Sequence, residues 1–356
     1  MSESERAWTA AALVMLVPGV AWFGFRAAIA VFVTVVAAWS VVRLLGWARQ
    51  DADRCWWWLA GSIIVGLSLP ASAGMLPGEQ VIGLGRDIWA IAPAAGVLMG
   101  LLVAVADRVG RYRFEPALVS IVMMHVMLGG QMDSDRVLGR GGLFHADVLG
   151  SGSERSSIGS AGVVIAAPGV AWVDQDGPVI ERGSAIRSIN EVALLLRNGD
   201  RIEREALEEW RRSRMPRMGD LVIGAHPGAI GLTSAAAALL ALCVLAWRGA
   251  DDARTVAGAI GGAVVVMAAG VAMLDAGDWS MSMSLVVIGY MMLGTPMVPA
   301  MVLIATRPAV RPVSRRWRAW FGVLAGVMMA LGVWVSPMSG AWVGLLVVHV
   351  LTRWRR

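Results

Sequence analysis

Apolar residues run through this chain in blocks of roughly 20, the length at which a helix crosses the ~30 Å hydrocarbon layer of a bilayer. Ten blocks can be placed. The first half holds Ala7–Phe25, Ala27–Trp47, Trp56–Gly74, Ile88–Val109 and Phe114–Gly130. The second half holds Ala229–Trp247, Thr255–Leu274, Trp279–Thr306, Arg318–Val335 and Gly340–Arg353. Between them lies Gln131–Ala225, polar, rich in Gly and Ser, and the one stretch large enough for a small extramembrane domain. Composition agrees: 57% of the 356 residues are hydrophobic and only 16% are charged, against about 25% charged in soluble domains. Mean hydropathy is +0.64. A disordered chain is excluded and a soluble enzyme is disfavoured. The expected architecture is an all-α polytopic membrane protein, with residues 1–130 and 226–356 as membrane parts and 131–225 as an insert.

The arginines orient it. All 31 basic residues are Arg, which removes Lys-dependent chemistry such as Schiff bases and P-loops. With the N-terminus in the cytoplasm, 17 Arg fall in the inner loops and ends, and only Arg26 and Arg86 in the outer short loops. That asymmetry is the positive-inside pattern, so both termini are expected in the cytoplasm and the insert outside. The insert carries 12 Arg and 14 acidic residues, close to neutral. The excess positive charge, reflected in a pI near 10.4, therefore lies on the membrane part. Orientation and attraction to anionic lipid account for it better than nucleic-acid binding.

The N-terminus starts Met1-Ser2-Glu3-Ser4-Glu5-Arg6, acidic rather than basic, and the apolar run after it is too long for a signal peptide. It is expected to be retained as the first span. Cys55 and Cys243 are the only cysteines, too few for a Cys₄ metal or iron–sulfur site. Trp8, Trp47, Trp56, Trp57, Trp58, Trp89, Trp247, Trp279, Trp317, Trp320 and Trp354 lie near span ends, where an indole suits the headgroup boundary.

Five spans, an insert and five spans suggest a duplication, and an odd unit must insert upside down relative to its copy. In such folds the site lies near the midplane, at Gly- or Pro-interrupted helices in matching positions. The third span ends Gly66-Leu67-Ser68-Leu69-Pro70-Ala71, and the eighth contains Leu293-Gly294-Thr295-Pro296-Met297-Val298-Pro299. Proline leaves carbonyls without donors, which membrane helices tolerate where protein, water or ligand compensates. Ordinary kinks explain such sites equally well.

Several segments resemble one family. They are Leu16-Val17-Pro18-Gly19-Val20, like V-P-G-I; Ala60–Pro70, like L-L-T-G-L-L-L-A-x-x-x-P; and Phe114-Glu115-Pro116-Ala117, like N-P-F-N-P-A. Pro227–Ser234 is like P-G-S-I-G-E-T-S, and Ile304-Ala305-Thr306-Arg307-Pro308 is like x-A-T-D-P. The family comprises the D subunit of the Rnf electron-transport complex and the B subunit of the sodium-pumping NADH:quinone oxidoreductase (RnfD and NqrB). The ten-span layout and the long segment after span five match too. The resemblance implies a flavin-associated membrane subunit of a redox-driven Na⁺ or H⁺ translocase in the bacterial inner membrane, with other membrane subunits as partners.

In that family an FMN is esterified through its phosphate to a Thr in an S-G-A-T motif of the outer segment. Alignment on Ala193–Gly199 puts Ser188-Ile189-Asn190-Glu191 in the motif's place. Glu191 has no hydroxyl, and the insert contains no Thr, so covalent FMN is not expected and any flavin should be held non-covalently. The family Glu of P-G-S-I-G-E-T-S is Leu232 here, and the Asp of A-T-D-P is Arg307. Three changed polar positions suggest a divergent member with altered or lost redox chemistry.

Candidate cofactor or ion-path residues line the broken segments: Pro70, Pro116, Gly228, Gly231, Thr233, Ser234, Thr295 and Pro296. Helix starts after Pro and Gly aim backbone N–H groups at an anion such as a flavin phosphate, although packing alone also explains small residues at crossings. His125, mid-span, is a proton-relay candidate, or else a histidine bonded to a neighbouring helix carbonyl. His349 is expected at the interface, Asp275 and Asp278 in water, Asp107 and Arg108 as a helix-end pair, and Met123, Met124 and Met127 toward lipid or core. In the insert, Arg201–Ser213 reads as an exposed charged helix with a Glu208–Arg212 pair. Val163–Val173 reads as strand. No catalytic triad, Zn-ligand spacing or dinucleotide fingerprint is present. Two competing functions remain at this point: a small-solute channel of urea-transporter-like fold, and a non-redox scaffold subunit.

Overall fold

The computed structural model describes residues 3–23, 25–45, 52–69, 88–109, 114–128, 218–224, 229–249, 252–273, 281–310, 312, 314–336 and 339–353. The expectations for Pro70, Ser188, Glu191, Gly228, Asp275, Asp278, Val163–Val173 and Arg201–Ser213 lie outside these residues.

Every regular element among the described residues is helical. In chain order they are α1 (Glu3–Phe23), α2 (Phe25–Leu44), α3 (Ala52–Ser68), α4 (Ile88–Val109), α5 (Pro116–Leu128), α6 (Met218–Ile223), α7 (Ala235–Trp247) and α8 (Ala253–Met273). Next come α9 (Met281–Leu293), α10 (Met297–Ala300) running into a π-helical turn (Met301–Ala305), α11 (Arg315–Val335) and α12 (Gly340–Arg353). Among the described residues, four helical segments are long and apolar enough to cross a membrane: Ala27–Leu44, Ala90–Val109, Ala253–Met273 and Arg316–Val335. A fifth is a bent pair, Ser284–Leu293 with Met297–Ala305, turned by 55°. The bend falls at Gly294-Thr295-Pro296, where the interruption was expected.

Other apolar helices are short. α5 and α7 have 13 residues each, about 20 Å of rise, less than the hydrocarbon thickness. Irregular backbone precedes α7, and it lies inside protein, as lipid requires. Residues 229–235 are all buried. There Ile230 N–H donates to Leu69 O (2.8 Å) and Gly231 N–H to Leu67 O (3.1 Å). The terminal carbonyls of α3, orphaned by the end of the helix, thus find their donors in the segment ahead of α7. Gly19 and Gly231 permit the approach: a Cβ on Gly19 would collide with Ile230 O, and one on Gly231 with the Leu67 side chain and Met15 O.

Glycine also sets two close helix crossings. Gly96 and Gly100 of α4 lie on Thr34, Ala38 and Val41 of α2, and Thr34 Oγ1 donates across to Ala92 O (3.2 Å). Gly258 and Gly262 of α8 face the backbone of Ala319 and Val323, while Gly322 and Gly326 of α11 face that of Thr255 and Ala259. Without hydrophobic drive between helices in lipid, such backbone-to-backbone packing holds them together.

Two surface expectations change. Trp247, Trp317 and Trp320 are exposed, as a belt requires, but Trp8 is fully buried and Trp57 and Trp58 are buried. α1 packs against α2, α3 and α7, so Trp8 meets protein where the headgroup boundary was expected. His349 is also buried rather than interfacial, because α12 packs between α5 and α11. Met123 and Met127 are exposed and Met124 is buried.

Candidate functional site

The charged centre of the molecule forms where the bent span ends. The π-helical turn gives way to a tight turn, with Arg307 N–H donating to Ile304 O (3.0 Å) and Val310 N–H to Arg307 O (2.9 Å). From this turn the Arg307 side chain runs back into the bundle. Its Nη1 donates to Glu115 Oε1 (2.8 Å) and its Nη2 to Trp57 O (3.2 Å). Both side chains of the ion pair are 1% exposed.

Glu115 stands just ahead of α5. Its carbonyl accepts the Val119 N–H (3.1 Å), so it is the residue that opens the helix, and Pro116 fills the first position, where no N–H is needed. A carboxylate there is favoured by the helix dipole. Gly61 of α3 adjoins the pair: a Cβ there would touch Arg307 Nη1 at an ordinary 3.6 Å but would press on Met99 Cε at 2.5 Å. The site therefore joins α3 and α5 of the first half to the end of the bent span of the second. Glu115 Oε2 has no hydrogen-bond partner among the described residues. Two buried charges cost several kcal/mol each in desolvation, roughly repaid only by good geometry between them. The pair is thus a strict geometric constraint rather than a large source of stability.

Of the residues singled out in sequence, Pro116 adjoins this pair, and the others that are described lie elsewhere. Ser234 caps α7: its Oγ accepts from Ala237 N–H (3.1 Å) and donates to Val222 O (3.2 Å). Thr233 Oγ1 donates to Gly224 O (3.3 Å). Thr295 Oγ1 donates to Met291 O (2.9 Å) and accepts from Met297 N–H (3.4 Å), and Pro296 opens α10. These hydroxyls are committed to backbone, so a phosphate at the start of α7 would be held by backbone N–H groups alone. α7 packs against α10 and the π-helical turn, which brings the two broken regions onto one side of the fold. His125 Nδ1 pairs with Ile121 O (2.8 Å), a carbonyl of its own helix rather than of a neighbouring one. Among the described residues no group of three or more His, Cys, Asp or Glu side chains could hold a metal.

A model of the NQR2, RnfD, RnfE family matches residues 2–352. The chain belongs to this family. No individual curated protein matches it. The NQR2, RnfD, RnfE family is linked to membrane subunits of redox-driven, ion-translocating complexes, and this member is a multi-pass membrane protein by its apolar helices and its family alike. Within the family's patterns, Leu232 is buried in the backbone segment ahead of α7, where a carboxylate would need a partner.

Sequence reasoning found Arg307 but missed Glu115. The signal was present: the family pattern F-N-P-A has Asn where Glu115 stands, and A-T-D-P has Asp where Arg307 stands. Two departures of opposite charge sign, 192 residues apart, are what a contact would produce.

The capping geometry gives a first prediction. Ser234→Ala should cost about 1 kcal/mol, read as a lowered midpoint in detergent. Ser234→Asp, which keeps an acceptor, should recover most of it.

Proposed function

We propose that this chain is the D-type membrane subunit of an Rnf-like electron-transport complex of the bacterial inner membrane. The observation that carries the reading is the family match over residues 2–352. The fold is read as ten spans in an inverted five-plus-five repeat. Supporting this, the two most extensive helix contacts are α2 with α4 and α8 with α11. If the bent pair counts as one span, these are the second and fourth spans of each half. The arginine asymmetry supports cytoplasmic termini and an external insert. The subunit helps gate Na⁺ or H⁺ movement, and redox state favours one arrangement of the halves over the other. Flavin, when bound, supplies the one- and two-electron chemistry. The chain contributes the backbone donors at the start of α7, beside Gly231 and Ser234. With Glu191 at the family's Thr position, attachment is non-covalent.

Purification from its native membrane in mild detergent tests the reading: further membrane subunits should accompany the chain. Flavin should leave it on denaturation, with no fluorescent gel band and no FMN mass increment. Recovery as a fully active lone monomer would remove the subunit assignment. A reporter active only outside the cytoplasm should work when fused within Gln131–Ala225 and fail after Arg356.

A further inference from the structure

We propose that Arg307 is a tethered counter-cation. Its guanidinium fills a monovalent-cation site made by the Glu115 carboxylate and the Trp57 carbonyl, and so closes this junction of the two halves to free cations. The proposal rests on the reading of the chain as part of an ion-moving complex.

The ligands are oxygen atoms of the kind that bind hard cations. Glu115 Oε1 and Trp57 O both converge on the guanidinium, at 2.8 and 3.2 Å. Glu115 Oε2, buried and without a hydrogen-bond partner among the described residues, adds unused lone pairs to the same carboxylate. With the guanidinium removed, a buried carboxylate and a carbonyl would face the space it leaves, and a desolvated anion of this kind demands a cation.

Arg307 meets that demand permanently. A guanidinium does not release its proton in proteins, and the Ile304–Val310 turn bonds fix its backbone. The one other acidic side chain buried below a tenth exposure among the described residues, Asp252, is likewise answered by arginine: Arg318 Nε lies 3.4 Å from its Oδ2, and Thr255 Oγ1 donates to the same oxygen at 2.9 Å. A fixed positive charge at this junction would also repel arriving cations. Both carboxylates buried below a tenth exposure among the described residues are thus answered by arginine.

The test uses the full-length chain, with NaCl against choline chloride as the probe. Melting is followed in detergent, and Na⁺ entry into vesicles holding a Na⁺-sensitive dye is followed after reconstitution. The wild-type chain should melt alike in both salts and hold the gradient. Arg307→Ala should melt higher in NaCl than in choline, since a ligand bound only by the folded state stabilises it, and should admit Na⁺ about tenfold faster or more. Arg307→Ala combined with Glu115→Ala should lose the sodium-dependent melting. Should Arg307→Ala fail to accumulate, Arg307→Gln, which preserves most of the side-chain volume, is read by the same criteria. Sodium-independent melting and unchanged Na⁺ entry in the Arg307 variant would overturn the proposal. So would wild-type melting that already depends on sodium and loses that dependence in Glu115→Gln. Co-purification of partner subunits is scored separately: absent partners would defeat the subunit assignment, while the sodium titration would still decide the role of Arg307.

Discussion

Arg307→Met should destabilise the folded chain by about 3–5 kcal/mol, the cost of stranding one member of a buried ion pair. Glu115→Leu should do the same from the other side. Combining the two should return stability to within about 1–2 kcal/mol of the parent, because well-packed apolar side chains replace buried ion pairs at little net cost. The asymmetry follows from burial. Both groups are 1% exposed, so water cannot solvate the survivor, and the carbonyl of Trp57 can satisfy only part of the guanidinium. The measurement is a double-mutant cycle on melting in detergent with sodium absent. Additive single effects would show that the two side chains do not depend on each other. Replacing the pair by Asn at 115 and Asp at 307 asks the related question of the family pattern. Arg307→Asp alone puts two carboxylates together and should be the worst single change, while adding Glu115→Asn should relieve it.

Gly262→Val should abolish accumulation of folded protein, whereas Gly261→Val, one residue away on the same helix, should change stability by less than about 1 kcal/mol. A Cβ on Gly262 would overlap the carbonyl of Val323, which is backbone of α11 and cannot yield. A Cβ on Gly261 meets nothing within 4 Å. Overpacking at an interior contact costs typically 1–3 kcal/mol and more where backbone must move, and here two closely packed helices would separate. The contrast controls for helix propensity, since both substitutions place the same β-branched residue in the same helix. Comparable yields of the two variants on gel filtration would contradict the close approach of α8 and α11.

Most of the helices were legible because apolar length is a strong and local signal. Where the expectations slipped, a partner segment had intervened. Span six was expected from Ala229, but residues 229–234 are non-helical, and the N–H groups of Ile230 and Gly231 serve the end of α3; no local propensity announces that. The break at Gly294-Thr295-Pro296 was legible from proline chemistry, yet the π-helical turn behind it was not. Trp8 and His349 carried the right residue types for an interface and were placed there, while the third dimension buried them. Of the charged centre, Arg307 was visible as an anomaly against the family pattern. Glu115 was read only as part of a matching motif, since nothing in sequence links positions 192 residues apart unless the two departures are weighed together.

The bonds from Ile230 and Gly231 to the end of α3 also bear on biogenesis. When α1 to α5 emerge from the ribosome and partition into the bilayer, the residues that donate to Leu67 O and Leu69 O have not been synthesised; they follow across the whole of 131–225. Carbonyls left without donors in hydrocarbon cost several kcal/mol apiece. The nascent first half must therefore keep the end of α3 near water, in the insertion machinery or at the headgroups, until the second half arrives. Completion of the third span is then a post-insertion step, and membrane entry of the two halves is one coupled event rather than two independent ones.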